Sequence, residues 1–148
     1  PRTFEAAAFL RRHGADVTRV RKLLRADMVE YRAVARAVSD AIVYKECFAI
    51  AKFDGTGVGS PTIGGAKAAN QLLDISGIKA SFVVTYYNDT IYVSARSIDE
   101  VNVQIIMERL GGGGHINTAG TQFQHTDMDE AIKALKETID TMIAEGDI

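Results

Sequence analysis

Residues 111 to 115 read Gly-Gly-Gly-Gly-His, and the segment before them carries Ser94, Arg96, Ser97 and Asn102. Each of these types can hold an anion. Backbone without Cβ atoms reaches φ > 0 and can aim successive N–H groups into one concavity, as phosphate-binding nests do. A guanidinium at a strand end can grip a phosphate with two parallel hydrogen bonds, and serine hydroxyls add shorter-range ones. Four adjacent glycines also give up more backbone freedom on folding than any other four residues, so the run costs stability unless bare backbone is required. The chemistry expected of Gly111 to His115 with Arg96 is an anion grip. Two plainer readings stand beside it: a flexible surface loop, and a surface arginine paired with Asp99 or Glu100.

The glycine run follows an apolar helical pattern over 103–110, which puts it at a helix C-terminus, where the dipole is negative. Bound negative charge would therefore have to be balanced by Arg96, by His115 or by cations from elsewhere. The run is not a Walker loop, since it lacks Gly-Lys-Ser/Thr. A second glycine-rich stretch, Gly55-Thr56-Gly57-Val58-Gly59, resembles a dinucleotide-binding turn only superficially. Ser60 occupies the third glycine position, Pro61 follows, and no parallel βαβ unit is evident, so it reads as a solvent loop. His13 and His125 have no metal-ligand neighbours at suitable spacing, and neither Ser94 nor Ser97 has a sequence signature of activation. The single Cys47 excludes an internal disulfide, fits a reducing compartment and reads as a small buried hydrophobe.

The elements that must position these residues form an α/β pattern. Thr3 is expected to cap a helix ending at Gly14, and Asp16 a short one reaching Leu24. Asp27 with Glu30 marks the start of a helix whose inward residues read as Met28, Tyr31, Val34, Ala35 and Val38, taken as a connector. Apolar runs at Ile42 to Tyr44, Cys47 to Phe53, Ser81 to Tyr87 and Ile91 to Ala95 read as strands, with Asn88-Asp89 as a hairpin turn. The alternation in Ile91 to Arg96 sets Tyr92, Ser94 and Arg96 on one face. Helices are expected over 62–74, with Ala66, Ala69, Leu72 and Leu73 inward, over 103–110 capped at Asn102, and from Asp127 to the end, with Met128, Ala131, Ile132, Leu135, Ile139, Met142 and Ile143 on one stripe. The fold class is a mixed β-sheet flanked by helices. Its organisation is a helical tail of a neighbouring domain (1–26), a linker helix (27–40) and a body (41–148).

The net charge of −2 conceals an asymmetry: residues 1–36 hold nine Lys/Arg against four Asp/Glu, and the remainder eight against fifteen. A basic N-terminal segment can face an acidic partner domain or a polyanion, or be a solvated helix surface. No apolar stretch approaches the ~20 residues needed to cross a bilayer. The chain begins on Pro1 and runs straight into helical sequence. It therefore reads as cut from something longer, or as having lost an initiator methionine.

The run Ser94-Ala95-Arg96-Ser97, then Glu100 through Glu108, then Gly111 to His115 and Ala119-Gly120-Thr121-Gln122, resembles the C-terminal DHH-associated domain of the DHH phosphoesterases. The wording around Asn102 is most similar to the membrane-anchored cyclic-di-AMP phosphodiesterases of Gram-positive bacteria. Residues Pro1 to Ala7 and Arg11 to Asp16 resemble the closing helices of the catalytic DHH domain. The resemblance implies that Arg96, Ser97, Asn102, Gly112, Gly113, Gly114 and His115 are substrate-side residues. It implies a cyclic dinucleotide or short oligonucleotide as ligand, the protein's own DHH domain as partner and a homodimer as an option, without long nucleic acid or direct membrane contact. It also implies two manganese ions (Mn2+), held by the DHH domain, and a cytoplasmic location. The Asp-His-His ligand motif is absent from this chain, so binding and orientation would lie here and catalysis in the neighbour. An oligoribonuclease or a 3′-phosphoadenosine phosphate phosphatase is the alternative within the family. A regulatory or dimerisation module is the alternative outside it.

Overall fold

A computed structural model describes all residues, 1–148. Helices α1 (Arg2–Arg12) and α2 (Val17–Leu23) bury no residue, and Phe4, Leu10, Leu23 and Leu24 face solvent. Asp16 caps α2 by accepting from the Thr18 N–H at 2.8 Å. Thr3 does not cap α1, because the helix starts earlier and Pro1 takes the cap position. Short helices without a packing partner gain little stability in water. Helix α3 (Met28–Ser39) begins as expected, with Asp27 accepting from the Glu30 N–H at 2.8 Å. It is more than a connector: Val34 and Ala37 enter the core, while Met28 and Tyr31 are both 62% exposed. The small Ala33, Val34, Ala37 and Val38 stripe lets the helix lie close to the sheet, which bulky Met28 and Tyr31 would prevent.

Six strands follow the order β1-β2-β3-β4-β6-β5. They are β1 (Ile42–Tyr44), β2 (Phe48–Phe53), β3 (Ala80–Tyr87), β4 (Thr90–Ser97), β5 (Gly113–His115) and β6 (Thr118–Gln124). Asn88 and Asp89 turn β3 into β4 at φ +48° and +57°, the left-handed region that a tight hairpin needs. Strands β2 and β3 pair in parallel, joined by α4 (Pro61–Leu72), and the other neighbours are antiparallel. The Gly55 to Gly59 stretch therefore does open a parallel βαβ unit, contrary to the sequence reading. That pairing is set by contacts between strands far apart in sequence, which local periodicity does not record.

The sheet separates two cores. On one face, α5 (Val103–Arg109) and α6 (Met128–Glu145) cover Phe48, Ile50, Phe82, Val84, Ile91, Val93 and Ala95. Asn102 caps α5 through the Gln104 N–H, and Asp127 caps α6 through Asp129 and Glu130. On the other face, α3 and α4 pack over β2 and β3, against Ala49, Ala51, Phe53 and Val83, and α4 also reaches β4. The inward residues of α4 are Gly64, Gly65, Ala68, Ala69 and Leu72; Ala66 is only half-buried. A Cβ on Gly64 would overlap the Phe53 ring, and one on Gly65 would overlap the Thr85 hydroxyl. Bare backbone at these two positions sets how low the helix sits.

Candidate functional site

Beyond α4, whose edge reaches β4, the strands β4, β6 and β5 expose one polar face. The register aligns Tyr92 with Gln122, Ser94 with Gly120 and Gly113, and Arg96 with Thr118 and His115. Residues directly opposite across a ladder point to the same face, so these rows form a floor whose wall is α4. Burial along β4 alternates, with Tyr92, Ser94 and Arg96 half-buried and Ile91, Val93 and Ala95 buried beneath them, as the sequence alternation predicts. Arg96 and His115 lie two strand spacings apart, about 10 Å.

Arg96 is the one cation of this floor. Its Nε donates to Asn70 Oδ1 at 3.1 Å and its Nη1 to the Ala95 carbonyl at 2.8 Å. Neither partner carries charge, and no carboxylate forms an ion pair with it; Glu100 pairs instead with Lys79. Partial burial pulls the guanidinium below its ordinary value, and the group remains a cation. A desolvated cation without a counter-charge is stabilised by any anion that reaches it.

The glycine run is less of a nest than its sequence suggests. Gly111, at φ +78°, ends α5, and its N–H donates to the Glu108 carbonyl, while that of Gly112 donates to Met107. Both donors are thereby used by the helix end. Gly113, Gly114 and His115 are not loop but the edge strand β5. A Cβ on Gly112 would overlap the Gly120 carbonyl, and one on Gly114, at φ +150°, would lie 2.5 Å from Ala119 Cα. Two of the glycines are thus required for β5 to approach β6. The chain also doubles back: the Ile116 carbonyl accepts from the Val103 N–H at 3.0 Å, so only the start of the run lies at the C-terminal end of α5.

The residues singled out in the sequence do not all share this floor. Ser97 lies on the opposite face with Ala95, 6% exposed, and its hydroxyl donates to the Ile116 carbonyl and Asn117 Oδ1 at 3.3 and 3.4 Å. It anchors the β5–β6 turn, and the same period of two that exposes Arg96 already assigns it there. Asn102 spends its carbonyl oxygen on capping α5. His115 is exposed on the edge, and its ring has no hydrogen-bond partner within the chain. Sequence reasoning missed Asn70, twenty-six positions from Arg96, as well as Thr62 and the pairing of Tyr92 with Gln122. Only the crossover and the β4–β6 register bring them together. No group of three or more His, Cys, Asp or Glu side chains is placed to hold a metal, so the residues present do not fit a metal centre. No helix is long and apolar enough to cross a membrane.

Three comparisons bear on this geometry. The DHHA1 domain family model matches residues 48–141. The cyclic-di-AMP phosphodiesterase GdpP of Geobacillus thermodenitrificans is 44% identical over 139 residues, covering 93% of this chain and 21% of that protein. The cyclic-di-AMP phosphodiesterase PdeA of Listeria monocytogenes is 41% identical over 143 residues, covering 94% of this chain and 21% of that protein. The chain thus spans about a fifth of the length of these relatives. Among solved structures, an exopolyphosphatase-related protein from Bacteroides fragilis matches with a TM-score of 0.82 at 20% identity, over 95% of this chain and 43% of that one. That match supports the α/β arrangement of a mixed sheet flanked by helices.

Proposed function

This chain belongs to the DHHA1 domain family, and on that premise we propose that it is the substrate-binding part of a phosphodiesterase that hydrolyses cyclic-di-AMP to linear diadenylate. The observation that carries the reading is Arg96: half-buried, held by a neutral amide and a carbonyl, without an acidic partner, on an open sheet face. Arg96 receives a phosphate, and His115, in the same row, adds a donor at the edge. The open floor positions the nucleotide, and such positioning removes entropy from the reaction barrier. Metal ions, manganese in this reading, and the groups that activate water belong to a catalytic domain outside this chain. The exposed apolar faces of α1 and α2 would pack against that domain. The similarity to phosphodiesterases of cyclic-di-AMP over more than nine-tenths of the chain supports this substrate class. In the same reading the domain works on the cytoplasmic side of a membrane-anchored bacterial protein.

Titration of the chain with linear diadenylate tests the assignment. Losing one charge-assisted grip costs about 1.5–3 kcal/mol, so Arg96→Ala is expected to weaken binding roughly 10- to 100-fold. His115→Ala should weaken it less, because His115 is exposed. Equal affinity in the wild type and both variants would remove Arg96 and His115 from the site.

A further inference from the structure

The groove has two chemically different ends. One holds Arg96 and His115. The other is uncharged, a cavity of about 370 Å³ lined by Thr62, Tyr92, Ser94 and Gln122 with the backbone of Gly111, Gly112 and Gly120. Tyr92 and Gln122 are direct cross-strand partners on β4 and β6, and Thr62 reaches them from the first turn of α4. Unlike Arg96, which Asn70 orients, Tyr92 and Gln122 make no side-chain hydrogen bond within the chain.

We propose that the Tyr92–Gln122 end is a subsite that takes a purine base; this rests on the reading that the Arg96 end takes phosphate. A half-buried tyrosine ring offers a stacking platform, and stacking favours a purine over a pyrimidine by contact area. The Gln122 carboxamide supplies one donor and one acceptor side by side. Adenine presents a matching acceptor–donor pair on both edges, N6 with N7 and N6 with N1. Guanine matches on its N1–O6 edge and again on its N2–N3 edge, although its N7 edge presents two acceptors, so the carboxamide can pair with either purine. With no ionised group beside it, this end cannot compensate a second phosphate but can accept a neutral base. The spacing also suits a nucleotide. Tyr92 and Arg96 are four residues apart on one strand, about 13 Å. Between them the row of Ser94 and Gly120 carries only a hydroxymethyl group and no side chain, which leaves room for a ribose.

NMR titration of the 148-residue chain with AMP, GMP and ribose 5-phosphate separates the two ends. Ribose 5-phosphate should perturb Arg96 and His115 only. AMP should also perturb Tyr92 and Gln122, and should bind roughly tenfold tighter than ribose 5-phosphate from stacking alone. Tyr92→Leu should remove that advantage. Gln122→Ala should weaken AMP and GMP alike while leaving ribose 5-phosphate binding unchanged. AMP binding no tighter than ribose 5-phosphate, or AMP binding unaltered in Gln122→Ala, overturns the base subsite. Ribose 5-phosphate binding unchanged by Arg96→Ala overturns the phosphate reading instead. Absence of any shift at millimolar AMP overturns both.

Discussion

One sheet face is built in two ways. Over β2 and β3 it is roofed by α3 and α4 and lined by Ala49, Ala51, Phe53 and Val83, all at most 3% exposed. From β4, which α4 only borders, across β6 and β5 it is open and polar, with Tyr92, Ser94, Arg96, Thr118, Gln122 and His115. Each half depends on glycines, but to opposite effect. Gly64 and Gly65 let a helix descend onto the strands, whereas Gly112 and Gly114 let another strand close against β6. Close backbone approach makes a roof in the first case and a wider floor in the second. The ligand-ready surface lies where the floor was widened without a roof.

The largest expected effect comes from the roofed half. In Gly64→Ala the new methyl group meets the Phe53 ring, which is 1% exposed and has no free space to move into. Overpacking of this kind costs about 1–3 kcal/mol, and the helix propensity gained from alanine, about 1 kcal/mol, does not offset its upper range. Overlap with a ring that cannot move belongs at the upper end of that range, so a net loss of about 2 kcal/mol should lower the thermal midpoint by roughly 4–8 °C. A midpoint at or above that of the wild type would mean that α4 does not sit as low as described.

In the open half the expected damage is smaller and local. Gly114→Ala must place a Cβ 2.5 Å from Ala119 Cα and the Thr118 carbonyl oxygen while holding φ at +150°. Both neighbours are backbone and cannot yield, so β5 should detach at a cost of about 1–2 kcal/mol, read as lost amide protection at residues 113–115. Gly113→Ala is the matched control, since a Cβ there meets nothing within 4 Å. It should change stability by less than about 0.5 kcal/mol. Equal effects of the two substitutions would show that the glycines serve flexibility and not strand approach.

What was legible in the sequence was local. Asp16, Asp27, Asn102 and Asp127 cap the helices expected of them, and Asn88-Asp89 makes the hairpin, because each motif is satisfied within a few residues. The polar face of β4 was legible for the same reason. The parallel β2–β3 pairing, the Asn70 contact to Arg96 and the β4–β6 register were not, since each joins residues distant along the chain. Strand β5 was hidden differently: glycine has no side chain with which to show an alternation. Ser97 belongs to the substrate side by its motif, whereas the period of two sets it on the face opposite Arg96, where the structure places it.

Thr85 marks the seam between the halves, in the row that continues through Tyr92 to Gln122. Its hydroxyl is buried beneath Gly65 and has no hydrogen-bond partner. An unpaired buried hydroxyl costs about 1–3 kcal/mol, so Thr85→Val, which keeps the shape and removes the orphan, should be neutral or stabilising by about 1 kcal/mol. Destabilisation of that size in urea melts would mean that the hydroxyl bonds to α4, and the roof would then be held by polar contact as well as by glycine.

The sheet ends in two three-residue edge strands, and they should answer acid differently. Strand β5 is held by backbone approach, whereas β1 is tied to α6 by side chains: the Tyr44 hydroxyl donates to Asp140 at 2.7 Å, and Lys45 lies 3.1 Å from it. The Tyr44 hydroxyl first, then Lys45, hold the Asp140 carboxyl below its usual value. A carboxylate depressed in the folded state stabilises it above the ordinary value near ~3.9 and loses that contribution as pH falls through the lowered one. All three groups reach solvent, so the effect is the smallest of the set. Asp140→Asn should melt slightly below the wild type at neutral pH, and the gap should close as the solution is acidified below about pH 4. The gap between Gly114→Ala and the wild type should persist through the same range, because nothing titratable holds β5. A pH-independent gap for Asp140→Asn would place β1 in the same class as β5 and remove the distinction between the two edges.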